Sequence, residues 1–130
     1  MTNDEISAFL KQAIDENRVM LFMKGTPDQP SCGFSARTAG ALNALGVQYA
    51  ALDILPDPRI REELSGLSGW PTIPQLFVNQ ELVGGSDIVM EMFESGELAQ
   101  LLGVEQPEGI ADEPQPEPAK RPIGLENRLE

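Results

Sequence analysis

The 130-residue sequence has no histidine, a single cysteine (Cys32), and only nine Lys and Arg against 21 Asp and Glu, a formal charge of −12. Without an imidazole there is no Ser-His-Asp or Cys-His catalytic pair and no His-coordinated zinc. One thiol cannot form an intrachain disulfide, and a single protomer cannot supply a four-cysteine metal site, so any metal takes carboxylates or ligands from outside the chain. The shortage of clustered Lys and Arg argues against a general nucleic-acid binder and disfavours anionic membrane surfaces. The longest strongly apolar run, Val19 to Met23, is far short of the ~20 residues that span a bilayer. The N-terminus, Met1-Thr2-Asn3-Asp4-Glu5, is acidic and lacks the apolar core of a signal or transit peptide, and the lone thiol suits a reducing compartment, so the expected location is cytoplasmic.

What is present suits one globular domain, since 41% of residues are hydrophobic. The composition changes at Val104. Residues 104–130 carry five prolines, seven acids and three bases with little apolar periodicity, and are expected to form an acidic, Pro-rich, disordered tail. The expected domain, residues 1–103, keeps 14 acids and six bases, a net −8.

Within that domain Thr2 and Glu5 have capping-box spacing, and Ile6, Phe9, Leu10, Ala13 and Ile14 follow with helical periodicity. Val19 to Met23 has the length and continuity of a strand buried on both faces. A loop with Gly25, Pro27 and Pro30 precedes a helix from about Ser35 to Leu45, stopped by Gly46, and the next strand is Gln48 to Asp53. Asp57 and Pro58 form the N-cap and first turn of a third helix, with Ile60, Leu64 and Leu67 on its buried face and Gly66 and Gly69 at its end. Leu76-Phe77-Val78 and Glu81-Leu82-Val83 flank Asn79-Gln80 as a hairpin, and Ser86 and Asp87 cap a helix that continues to a final one at Leu98, Leu101 and Leu102. The order αβαβαββαα predicts an α/β sandwich with a four-stranded mixed sheet.

Cys32 lies where a loop hands over to a helix after a strand ending at Lys24. Free backbone N–H groups, the helix dipole and a nearby ammonium stabilise a thiolate there, so the cysteine is predicted to be reactive. A resolving thiol would stand three positions on, where Ser35 cannot do that work.

Lys24-Gly25-Thr26-Pro27, Pro30, Cys32-Gly33-Phe34-Ser35, Trp70-Pro71-Thr72-Ile73-Pro74-Gln75 and Gly84-Gly85-Ser86-Asp87, in that order over about residues 3–103, resemble the monothiol glutaredoxins of the Cys-Gly-Phe-Ser class. The resemblance implies a thioredoxin-like three-layer α/β/α sandwich and a glutathione site. In it Lys24 and Arg61 bind the glycyl carboxylate. Ile73, before a cis Pro74, offers its main chain to the cysteinyl residue. The N–H groups of Ser86 and Asp87 take the γ-glutamyl carboxylate, and the Asp87 side chain takes its ammonium. Many monothiol relatives have a second cysteine where this chain has Ser86, so no partner thiol exists within one protomer. The resemblance further implies that Cys32 of two protomers and two glutathione thiols ligate a [2Fe-2S] cluster in a homodimer that supplies apo-iron-sulfur proteins. A BolA-type protein is implied as an alternative partner. A different reading is glutathione-dependent thiol-disulfide exchange, in which Cys32 removes glutathione from protein mixed disulfides.

Overall fold

The computed structural model describes residues 1–105, so the expected tail, apart from Val104 and Glu105, lies outside the described residues. The elements are α1 (Asn3–Glu16), β1 (Val19–Met23), α2 (Gly33–Ala44), β2 (Ala50–Asp53), α3 (Pro58–Ser68), β3 (Gln75–Val78), β4 (Glu81–Gly84), α4 (Ser86–Ser95) and α5 (Glu97–Leu102). The sheet order is β2-β1-β3-β4, with β1 and β2 parallel and the other neighbours antiparallel. The αβαβαββαα order and the mixed sheet are as the sequence predicts.

Strand β1 explains the layering. Its five residues are all buried, because successive side chains leave opposite faces and both faces are covered. Val19, Leu21 and Met23 join Ala39 and Leu42 of α2, Val89 and Phe93 of α4 and Leu98 of α5 in one cluster. Met20 and Phe22 join Ile6, Leu10 and Ile14 of α1 and Leu64 of α3 in the other. Phe22 and Phe77 meet edge to face there, with ring centroids 5.7 Å apart. The result is a three-layer α/β/α sandwich.

Local signals hold at most boundaries. Thr2 and Glu5 form a reciprocal capping box at α1. Asp57 caps α3 with its carboxylate on the Arg59 N–H, and Gly69 closes the helix in the left-handed region. Asn79 and Gln80 both have positive φ, 52° and 72°, as a two-residue hairpin turn demands.

Several expectations shift. Phe9 is 44% exposed, because α1 reaches the sheet through the narrower stripe Ile6, Leu10, Ile14. Leu67 and Leu101 are also exposed, and Gly66 lies inside α3 rather than at its end. Helix α2 begins two residues before Ser35, and β2 begins at Ala50 rather than Gln48. At α4 the N-cap is Gly85, with no side-chain cap hydrogen bond, so Ser86 is the first helical residue rather than a capping hydroxyl.

Candidate functional site

Five of the six residues singled out from the sequence, Lys24, Cys32, Ile73, Ser86 and Asp87, fall at one end of the sheet, and Arg61 is on α3. The pairing Phe22↔Gln75 puts the exit of β1, Lys24, beside the entry to β3, Ile73. The pairing Leu76↔Gly84 brings Ser86 and Asp87 to the same end. Cys32 is tied there by the loop before it. The Ser31 N–H donates to the Lys24 carbonyl at 2.8 Å, and Gly25 bridges Pro30. Gly25 must be glycine, because its φ is +88° and a Cβ would stand 2.5 Å from the Gln29 carbonyl oxygen. The Asp53 carboxylate accepts from the N–H groups of Gly25 and Leu55 and so pins this loop to the end of β2.

Cys32 is the N-cap of α2, half-buried, with its sulfur 3.4 Å from both the N–H and the Oγ of Ser35. Burial alone would push the thiol pKa up. The Ser35 hydroxyl, the N–H groups of Ser35 and Phe34 and the Lys24 ammonium outweigh it, and the thiol lies below its ordinary value. The helix terminus therefore performs as expected, with one contributor the sequence reading passed over. Ser35 is fully buried and also accepts the Lys24 N–H at 3.0 Å. Its hydroxyl links the end of β1 to the sulfur.

The remaining groups lie at the entry to β3 and on α3 and α4. The Ile73-Pro74 bond is cis, as the resemblance implies. The Ile73 side chain is buried, 6% exposed, and its N–H and C=O make no hydrogen bond to another described residue. Ile73 lies two residues before β3, itself an interior strand between β1 and β4, and its main-chain groups are open to an extended peptide. The first-turn N–H groups of Ser86 and Asp87 have no intrahelical acceptor and form a ready anion site. Asp87 is exposed and lines, with Ser86, Phe34, Arg37, Met90, Glu91 and Glu94, a groove of about 300 Å³ between α2 and α4. Arg61 is exposed on α3, with its guanidinium 3.5 Å from the Pro71 carbonyl, and Lys24 is half-buried at the strand end. Phe34, beside Cys32, is 61% exposed, an apolar surface next to the sulfur.

The groups available are one stabilised thiolate, the cations Lys24 and Arg61, the free main-chain groups of Ile73 and the N-terminus of α4. Chemically they suit an extended, thiol-bearing peptide with an anionic group at each end. Among the described residues no three His, Cys, Asp or Glu side chains are grouped to hold a metal ion.

The glutaredoxin family model matches residues 19–83, half of the chain. "Glutaredoxin 4" of Escherichia coli K12 is 54% identical over 93 residues, 72% of this chain and 81% of that protein. "Probable monothiol glutaredoxin 2" of Rickettsia typhi is 50% identical over 94 residues, 72% of this chain and 85% of that one. Among solved structures, a monomeric truncated mutant of Trypanosoma brucei 1-C-Grx1 is 40% identical with a TM-score of 0.70, over 78% of this chain and 96% of that one. With this fold, these relatives and Cys32 as its only cysteine, the chain belongs to the monothiol glutaredoxin family.

Proposed function

We propose that the protein binds glutathione beside Cys32 and, as a homodimer, carries a [2Fe-2S] cluster that it delivers to apo-iron-sulfur proteins. The observation that carries the reading is the setting of Cys32. A stabilised thiolate, the chain's only sulfur ligand apart from methionine, stands among groups complementary to a γ-glutamyl tripeptide. In this reading Lys24 and Arg61 hold the glycyl carboxylate, and the Ile73 N–H and C=O pair with the cysteinyl residue. The Ser86 and Asp87 N–H groups receive the γ-glutamyl carboxylate while the Asp87 carboxylate takes the ammonium.

The donor set fits the cargo. Iron-sulfur clusters take thiolates, and two Cys32 sulfurs with two glutathione sulfurs make four. A cluster bound half by exchangeable glutathione, across an interface between separable protomers, is suited to release. Ser35 cannot resolve a mixed disulfide, and Ser86 leaves no second thiol, so a redox cycle always needs an external thiol. Nothing about the site requires a cluster partner to be a second copy, and a BolA-type protein in place of one protomer is compatible with a single Cys32 ligand. Thiolate chemistry of this kind belongs in a reducing, cytoplasmic setting, and no helix among the described residues is long and apolar enough to cross a membrane.

The test is anaerobic reconstitution with iron, sulfide and glutathione, read by visible absorption and by mass in size exclusion. A coloured dimer that forms only with glutathione, and does not form in Cys32→Ser, is expected. A colourless monomer that rapidly turns over glutathionylated substrate would overturn the carrier reading in favour of thiol-disulfide exchange.

A further inference from the structure

The glutathione surface has two halves on different elements, the Ile73 main chain before β3 and the N-terminus of α4, and something must hold them at a fixed spacing. The pairing Leu76↔Gly84 brings the elements together, and the chain leaves the sheet at Gly85 to enter α4. A Cβ on Gly85 would lie 2.9 Å from the indole Nε1 of Trp70 and 3.3 Å from the Pro74 carbonyl oxygen. The absence of a side chain at Gly85 is therefore a notch, and the edge of Trp70 fills it.

Trp70 is itself fixed. Its N–H donates to Ser68 Oγ at 3.1 Å, and its carbonyl accepts from Gln75 Nε2 at 2.9 Å, which also donates to the Thr72 carbonyl at 3.2 Å. Gln75 is fully buried and spans the Trp-Pro-Thr-Ile-Pro loop like a brace. The Trp70 Nε1 and the Gln75 Oε1 are buried without a hydrogen-bond partner among the described residues. Buried polar atoms are ordinarily satisfied, and an exception calls for an explanation. Here the indole is held against Gly85 by contact while its polar atom goes unpaired, so its placement is not accounted for by hydrogen bonding.

We propose that Trp70, seated in the Gly85 notch and braced by Gln75, is a positioning residue that sets the distance between the Ile73 main chain and the α4 N-terminus, and so selects γ-linked over α-linked glutamyl peptides. The inference rests on the glutathione reading above. In a γ-glutamyl peptide two methylene carbons separate the peptide carbonyl from the carbon bearing both the ammonium and the carboxylate; in an α-linked peptide the ammonium-bearing carbon is bonded to the carbonyl directly, and the free carboxylate stands apart from it at the end of the side chain. With the cysteinyl residue paired to Ile73, only one of these reaches a helix terminus held at a given spacing. Trp70 touches no ligand in this arrangement and acts through the two elements it separates.

The experiment measures calorimetric binding of γ-Glu-Cys-Gly and α-Glu-Cys-Gly to the full chain, with alkylation of Cys32 by iodoacetamide and far-UV circular dichroism as parallel readouts. Wild type is expected to favour the γ-peptide by about tenfold or more, the cost of losing hydrogen bonds to a charged group. Gly85→Ala should lose most of that preference, while Cys32 alkylation stays within about twofold because its stabilising partners, Ser35 and Lys24, lie elsewhere. Trp70→Phe combined with Gly85→Ala should regain it, since phenylalanine lacks the five-membered ring that carries Nε1. Three results each overturn the proposal: Gly85→Ala keeping the wild-type preference, the double variant remaining as impaired as the single one, or alkylation falling in step with affinity. Should Gly85→Ala fail to fold, Trp70→Ala decides. Loss of the γ preference with alkylation retained supports the assignment, and an unchanged preference refutes it. Equal binding of both peptides by wild type sinks the spacing role alone, whereas binding of neither sinks the glutathione reading and this inference with it.

Discussion

At the scale of single residues, the sulfur of Cys32 is governed more by its hydrogen bonds than by charge. The Lys24 ammonium is the smallest of the influences that lower its pKa, behind the Ser35 hydroxyl and the N–H groups of Ser35 and Phe34, which together overcome the opposing effect of burial. Ser35 thus replaces the resolving thiol of a dithiol enzyme with a group that steadies the thiolate instead of attacking a disulfide. Removing the hydroxyl in Ser35→Ala should raise the Cys32 pKa and slow its alkylation at pH 7. A rise of one unit cuts the thiolate about tenfold but makes it intrinsically about threefold more nucleophilic, so the net slowing is about threefold per unit. The pH profile of iodoacetamide alkylation checks this. The midpoint should move to higher pH in Ser35→Ala, and the rate at pH 10 should not fall. Lys24→Met should move it much less, and a larger shift from Lys24→Met than from Ser35→Ala would contradict the ranking.

Secondary-structure elements show which local signals suffice and which do not. The Thr2 Oγ accepts the Glu5 N–H at 3.1 Å while the Glu5 carboxylate accepts the Thr2 N–H at 2.7 Å, so Thr2→Ala should cost about 1 kcal/mol in chemical denaturation. In the hairpin, Gln80 sits at φ +72°, where a side chain is strained. Gln80→Gly should therefore stabilise the protein by roughly 0.5–1 kcal/mol, with the gain trimmed by loss of its exposed 3.3 Å bond to the Asp15 carbonyl. A destabilised Gln80→Gly variant would mean that this bond outweighs the backbone strain. Both features were legible because each depends on residues at most three positions apart. The same is true of Cys32 at the start of α2, where a loop and a helix onset specify the environment locally. The role of Gln75 was not legible. A glutamine opening an apolar strand gives no sign that its amide turns back onto the carbonyls of Trp70 and Thr72. Nor does Gly84-Gly85 reveal that the second glycine accommodates an indole fifteen residues earlier in the chain. Phe9 misled for a related reason, since periodicity marks a helical face but not how wide a stripe the sheet will cover. At α4, proximity to the helix start suggested a Ser86 cap, whereas the extended backbone of Gly85 takes that position.

For the whole molecule, charge and assembly pull against each other. The chain carries −12 at pH 7, and the proposed cluster-bridged homodimer would join two such chains through the end that holds Cys32. In the groove between α2 and α4, Arg37 is faced by Asp87, Glu91 and Glu94. Like net charges repel over a range set by salt, about 30 Å at 0.01 M and about 8 Å at 0.15 M. The reconstituted dimer should therefore be several-fold tighter at 0.15 M than at 0.01 M salt, as measured by anaerobic sedimentation over a protein dilution series at fixed glutathione. The argument turns on the sign of the slope. Screening would also weaken the proposed pull of Lys24 and Arg61 on the glycyl carboxylate, so glutathione must be held at saturation for the protomer-protomer repulsion to be read alone. A dimer that weakens as salt rises would place ion pairs across the interface, with Arg37 of one protomer against Glu91 or Glu94 of the other as the first to examine by charge reversal.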